Sequence, residues 1–149
     1  LHRNFQGYTN DSATYLIGIG ASAISNLGDT YAQNVAFLPQ YRDRIKAGEF
    51  AIEKNCLLSD EDILHAAVIK EMMCDLSVNP YKVAQSVGLP DYDFSSAYAQ
   101  MQQLKKDKLI VVAEDGTIYA LIRQAARLVS ACFDTRLSQS TQRRHVSSA

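Results

Sequence analysis

Residues 109–121 read LIVVAEDGTIYAL, two β-branched runs either side of Asp115-Gly116. Asp-Gly between alternating apolar residues is a strong short-range hairpin signal, because the turn needs backbone angles that these two residues adopt at little cost. What precedes the hairpin decides the fold. LSDEDI at 58–63 places Ser59 as an N-cap with Asp62 three residues on, a shortened capping box, and its acidic first turn suits the helix dipole. This helix is predicted to run to about Cys74, with Ile63, Ala66, Ala67, Lys70, Met73 and Cys74 alternating a buried and a solvated stripe and His65 on or near the solvated side. Asn79-Pro80 starts a second helix, stopped by Gly88 and Pro90. Asp93 opens a third, whose Phe94, Ala97, Tyr98, Met101 and Leu104 follow three- and four-residue steps. Three helices and a hairpin are the element order of a winged helix, so residues 51–137 read as a helical, winged-helix-like unit. A last apolar helix spans roughly Leu121 to Leu137, and 138–149, SQSTQRRHVSSA, reads as a disordered tail.

Upstream, residues 1–35 read as loops and short elements, with YLIGIG (15–20) the one plausible buried strand; a helix follows from Leu38, entered near Pro39 and ended by Gly48. Tyr41 and Ile45, four apart on it, form a packing face. The fold class is therefore mainly α with a small β component.

Gly18, Gly20 and Ala23 satisfy the dinucleotide fingerprint G-x-G-x-x-G/A. The fingerprint also needs an uninterrupted helix next, and Gly28 breaks the segment that follows, so a Rossmann reading is rejected. What remains is a small-residue turn that something large approaches closely, or a turn whose glycines only permit positive φ.

Bulk properties exclude several classes. A formal charge of −1 announces neither a nucleic-acid footprint nor a polybasic membrane patch. Gln100, Gln102, Gln103, Lys105 and Lys106 are groups that reach bases or phosphates, but Glu114, Asp115, Asp91 and Asp93 would repel the backbone on which DNA affinity depends. No nucleic-acid and no membrane partner is expected. Cys56, Cys74 and Cys132 are odd in number and widely spaced, against a disulfide framework or a local metal site, and point to a reducing cytoplasm. His2, His65 and His145 are scattered, and no nucleophile pairs with a base by sequence context. No catalytic constellation stands in the chain. It starts with Leu1 in mid-pattern, as a piece of something longer would.

The distinctive residues are RNFQGYT (3–9), GIGASAIS (18–25) and GDTYAQN (28–34). In that order they resemble R-x-F-Q-G-Y-T, G-x-G-x-S-A-I-S and G-D-x-Y-x-Q-N of the oxygen-independent coproporphyrinogen III oxidases, radical S-adenosylmethionine enzymes of haem biosynthesis. VIKEMMC (68–74) and CFDTRL (132–137, for C-F-D-T-Y-L) extend the resemblance to Leu137. It is weakest over 117–131, where the family has T-x-x-G-R-L-L-x-R-N.

The resemblance implies a C-terminal, substrate-covering part, with residues 1–50 adjoining an N-terminal partial β/α barrel that is its partner. That barrel holds a [4Fe–4S] cluster on C-x-x-x-C-x-x-C, a motif this chain lacks, so the fragment alone is expected to be inactive and to bind no cofactor. An apolar face left without the barrel would favour self-association. The implied reaction oxidatively decarboxylates two propionates of coproporphyrinogen III to vinyls, giving protoporphyrinogen IX: S-adenosylmethionine reduced at the cluster yields the radical that abstracts a hydrogen, loss of CO₂ and one electron leaves the vinyl, and an external electron donor is a partner. By the same resemblance Ile24 contacts a second S-adenosylmethionine, Phe5 and Gln6 line the active site, with Gln6 also near that cofactor, and no residue here binds metal. Arg3 is a candidate for a substrate propionate by charge alone. Two other readings are a haem-carrying relative without oxidase activity, disfavoured by the retained NFQGYT and SAIS, and a DNA-binding winged helix.

Overall fold

The computed structural model describes residues 2–4, 7–10, 13 and 15–134, apart from the side chains of 3 and 4. Phe5, Gln6 and the tail 138–149 lie outside the described residues.

Three small antiparallel sheets and six helices are described. β1 (His2–Asn4) pairs with β2 (Gly7–Thr9). β3 (Ile24–Asn26), β4 (Thr30–Asn34) and β5 (Ile52–Leu57) form a second sheet in the order β3-β4-β5, with α1 (Leu38–Lys46) inserted between β4 and β5. α1 follows its sequence signals: Pro39 lies in the first turn, and Gly48, at φ 76°, takes the left-handed turn after the helix. β5 lies past residue 50 in sequence but belongs to this sheet, pairing Tyr31 with Cys56 and Ala32 with Asn55. The strand expected at YLIGIG is not formed. Only Leu16 pairs, with Asn26, and Ile17 and Ile19 stand 75% and 88% exposed. The apolar run that suggested burial instead faces outward.

The second half is built around α2 (Asp60–Asp75), whose Ser59–Asp62 capping box is complete. Its buried stripe is Leu64, Val68 and Met72, a four-residue repeat, with His65 and Met73 beside it. The expected stripe was thus one position out of phase, and His65, 8% exposed, is buried. α2 ends at Leu76 in the left-handed region, and β6 (Ser77–Val78) follows. α3 (Pro80–Ser86) starts on Asn79, which accepts from the Lys82 amide at 3.1 Å. The third expected helix is two: α4 (Ser95–Gln100) and α5 (Gln102–Lys106) meet at Met101. Phe94 is the N-cap of the first of them, and Asp93 before it accepts from the Ser95 amide and hydroxyl, both at 2.8 Å. β7 (Ile110–Val112) and β8 (Ile118–Ala120) form the hairpin, with Gly116 at φ 83°, and β6 joins it in the order β6-β8-β7. α6 (Arg123–Cys132) closes over α2, shorter at both ends than the expected helix within the described residues.

One core joins these elements: Leu64, Val68 and Met72 of α2, Phe94, Met101, Ile118, and Val129 and Phe133 at the far end. Phe94 sits at its centre, its ring 4.8 Å from Tyr92, 5.3 Å from Tyr81 and 5.9 Å from Phe133. The hairpin is tied to α3 by Asn79, whose amide donates to Asp115 O at 3.0 Å and Thr117 Oγ1 at 3.1 Å. Tyr98 donates to Gly116 O at 2.6 Å. The two halves meet where the Leu58 amide donates to Asp29 O (2.8 Å) and Tyr8 donates to Met73 O (3.1 Å).

Candidate functional site

The glycine-rich loop 15–26 lies along the free edge of the β3-β4-β5 sheet. Leu16 and Asn26 exchange both backbone hydrogen bonds at 2.8 Å, which turns the backbone of Asn26 away from β4. Strand alternation turns the N–H and C=O of Ile24, two residues earlier, to the same outer edge. The Ala23 carbonyl, one residue before Ile24, accepts from Asn34 N at 2.9 Å on the β4 side, as that alternation requires.

The two glycines have separate duties. A Cβ on Gly18 would stand 2.7 Å from Ile24 O and 2.9 Å from Ile24 N, so only glycine lets the loop lie this close to β3. Gly20 has φ 113°, a conformation that side chains disfavour, and turns the chain through Ser22, itself at φ 60°. Three side chains hold the pair. Ser25 Oγ accepts from the Gly18 amide at 3.0 Å, and Tyr41 of α1 accepts from the Gly20 amide at 3.1 Å. Asn34 Nδ2 donates to both carbonyls, Gly18 O at 3.2 Å and Gly20 O at 2.9 Å. Both of its neighbours are acceptors, so only the NH₂ end of that amide can face them.

The structure thus places Ile24 half-buried on an edge strand beside Gly18, while Phe5 and Gln6 are outside the described residues. Asn34, Ser25 and Tyr41 escaped the sequence reading as site residues. Asn34 closes GDTYAQN and Ser25 closes SAIS, both quoted there, but their contacts span 16 and 7 residues and leave no local periodic signal.

Large apolar side chains of this part of the chain stand uncovered: Tyr15, Ile17, Ile19, Phe37, Phe50 and Leu57 are all exposed. The helix α5 groups Gln102, Gln103, Lys105 and Lys106 are exposed as well, and Gln103 donates to Asp107 at 2.8 Å. Asp115 in the hairpin turn is held well below the usual carboxylate range, at about 2, by hydrogen bonds from Thr117 and from Lys82, which it meets at 3.2 Å. Tyr98 and Tyr92 are each pushed up to about 12, first by desolvation; Tyr92 donates its hydroxyl to Glu61. These are groups that hold the fold rather than titrate near neutrality.

No family model matches the chain. Individual proteins do. It is 37% identical over 142 residues to the oxygen-independent coproporphyrinogen III oxidase of Escherichia coli, covering 93% of this chain and 31% of that protein. The oxygen-independent coproporphyrinogen III oxidase of Synechocystis is 34% identical over 155 residues, covering 100% of this chain and 33% of the relative. The solved structure of the Escherichia coli coproporphyrinogen III oxidase, described as a radical SAM enzyme, superposes with a TM-score of 0.81 at 34% identity over 91% of this chain and 32% of that one. This chain belongs to the oxygen-independent coproporphyrinogen III oxidase family, in its C-terminal part. The fold is that family's as well, helical with small sheets. The chain spans about a third of the length of the curated oxidases it matches.

Proposed function

We propose that the protein containing this chain converts coproporphyrinogen III to protoporphyrinogen IX without oxygen, two propionates becoming vinyls with loss of two CO₂. The observation that carries this is identity of 37% with an oxidase of that name across nearly the whole chain, together with the shared fold. Residues 1–50 face the catalytic barrel, with β5 continuing their sheet by pairing with β4, and residues 58–134 form the winged-helix-like unit behind them. Tyr15, Ile17, Ile19, Phe37 and Phe50 are apolar and exposed, and in this reading they pack on the barrel and keep water from the substrate.

Cys56, Cys74 and Cys132 stand on β5, α2 and α6, and no group of three or more His, Cys, Asp or Glu fit to hold a metal occurs among the described residues. This donor set does not fit an iron–sulfur cluster, which in this reading belongs to the barrel. S-Adenosylmethionine fits better. Gly18 covers the edge of the Ile24 peptide that β4 leaves unbonded, so a nucleoside would meet Ile24 through its half-buried side chain, an apolar contact that suits an adenine ring. When bound, this cofactor supplies the hydrogen-abstracting chemistry that decarboxylation requires. Ile24 then binds and orients the nucleoside, and Phe5 and Gln6 line the substrate side. No helix among the described residues is long and apolar enough to cross a membrane, and a cytoplasmic setting with an external electron donor completes the reading.

The test is anaerobic turnover by the full-length protein. Ile24→Asp puts a charge where β3 carries a half-buried apolar side chain. With iron content unchanged, turnover should fall at least about tenfold. Gln6→Ala should lower it as well. Full activity in both variants would remove this loop from the active site.

A further inference from the structure

The register of the β3-β4-β5 sheet sets two rows of side chains on one face. Ile24 stands opposite Gln33 and Gln33 opposite Lys54, and beside them Asn26, Tyr31 and Cys56 cross the same strands. Strand alternation sends these residues to one side and Ser25, Ala32 and Asn34 to the other. The two sides differ. Over β3 and β4 the second is closed: Ala32 is buried, and Ser25 and Asn34 are bonded to the glycine loop. On the first side no residue is fully buried, and Lys54 is exposed. Lys54 is also the one lysine or arginine on β3, β4 and β5, and it makes no ion pair among the described residues.

We propose that Lys54 binds a propionate of the porphyrinogen, one that survives the reaction. The inference rests on the function proposed above and on the contact of the Ile24 side chain with the nucleoside. Lys54 lies two strand spacings from Ile24, roughly 10 Å. A porphyrinogen whose reacting propionate meets the nucleoside extends past it, and the macrocycle carries its other carboxylates around a ring of about that width. Those carboxylates stay charged while two others leave as CO₂. Covered by the barrel, a carboxylate that has lost water needs a cation to replace it. An ammonium on a flexible stem suits a carboxylate that is itself on a flexible chain. Between the two ends, Gln33 Nε2 donates to Ser22 O at 3.4 Å, which leaves its carbonyl oxygen to accept from a pyrrole N–H. The row thus reads apolar contact, acceptor, cation, in the order in which nucleoside, macrocycle and distant carboxylate would lie.

Steady-state turnover of coproporphyrinogen III by the anaerobic full-length protein tests this, with the porphyrinogen and S-adenosylmethionine varied in turn. Lys54→Gln should raise the KM for the porphyrinogen at least about tenfold, the scale of one hydrogen bond to a charged group. Its kcat should change less than about threefold, as for a contact made equally in the ground and transition states, and its S-adenosylmethionine dependence should not change. Lys54→Arg keeps the charge and should recover most of the loss, which altered strand packing alone would not predict. Lys46→Gln removes an exposed cation from α1 and should leave the KM at the wild-type value. An unchanged KM in Lys54→Gln overturns the assignment, while turnover by the wild type keeps the proposed function standing. A rise in the S-adenosylmethionine requirement instead would give this lysine to the methionine carboxylate, and overturns it as well. So does an equal rise in KM for Lys46→Gln, which would reduce the effect to a general field. Absence of turnover in the wild type overturns the function and this inference together.

Discussion

The segment from Tyr15 to Leu57 and the segment from Ser59 to Asp134 are stabilised in opposite ways. The later one buries its large side chains, with Phe94, Phe133, Leu64 and Met72 below 2% exposed, and spends its polar groups on caps and turns. The earlier one buries only Ala32, Val35 and Ala51 among its described hydrophobic residues, leaves isoleucines and phenylalanines outside, and holds its shape by side chain to backbone hydrogen bonds. A self-sufficient fold gains mainly from apolar burial. Under the proposed function, the apolar groups that this earlier segment turns outward are the ones that pack on the catalytic barrel.

Breaking the later segment should cost most. Phe94→Ala deletes the ring around which Tyr81, Tyr92 and Phe133 pack, and large-to-small changes of this kind cost about 3–5 kcal/mol. Denaturant unfolding of the full-length protein should show the loss, with amide protection falling across residues 58–134. A shift below about 1 kcal/mol would mean that this core relaxes around the cavity, and that the contrast between the segments is smaller than their burial suggests.

Gly18→Ala tests the earlier segment. The added methyl would meet Ile24 O at 2.7 Å, and both partners are backbone, so β3 or the loop must shift. The expected cost is about 1–3 kcal/mol, typical of overpacking, and confined in space: the Leu16 and Asn26 amides should lose protection while α2 and α6 keep theirs. Equal loss in both segments would show that they unfold as one unit.

Most of the later segment was legible because its signals are local. Ser59 with Asp62, Asn79 with Pro80 and Asp115 with Gly116 each act within four residues, and each does in the structure what its spacing implies. Helix phase was less legible. His65 and Leu64 are buried because α6 and the Tyr92 loop pack on that side of α2, a tertiary fact absent from α2's own pattern. The site was readable in part. Its glycines are conspicuous and Ile24 enters by family resemblance, but the partners of Gly18 and Gly20 come from strands and a helix folded back over them. The strand expected at YLIGIG fails because the glycines bend the chain after Leu16, so only Leu16 pairs and Ile17 and Ile19 stand exposed.

A third comparison uses pH. His65 lies edge-on to Tyr92 at 5.4 Å and its pKa is lowered by desolvation, against the opposing pull of Glu61, Asp62 and Asp134. With the folded pKa below the unfolded value of about 6.5, the unfolded chain binds the proton first. Stability is therefore complete above about pH 6.5 and declines as pH falls through that value toward the folded pKa. His65→Phe keeps a ring against Tyr92 without a titrating group, and should flatten this part of the stability profile. An unchanged slope would assign the acid sensitivity to carboxylates instead.

The smallest expected effect lies inside α6. Ser130 is 8% exposed, and its Oγ has no hydrogen-bond partner within the described residues, although a serine in a helix can donate to the carbonyl four residues back. A buried hydroxyl that has lost water and gained nothing in exchange costs free energy. Alanine removes the hydroxyl, adds no volume and has the higher helix propensity. Ser130→Ala should leave the fold unchanged and raise unfolding stability by about 0.5–1 kcal/mol, with both terms in the same direction. A loss of stability would reveal a partner for this hydroxyl, and since α6 packs on α2 and β8, that partner would sit inside the one core of the later segment.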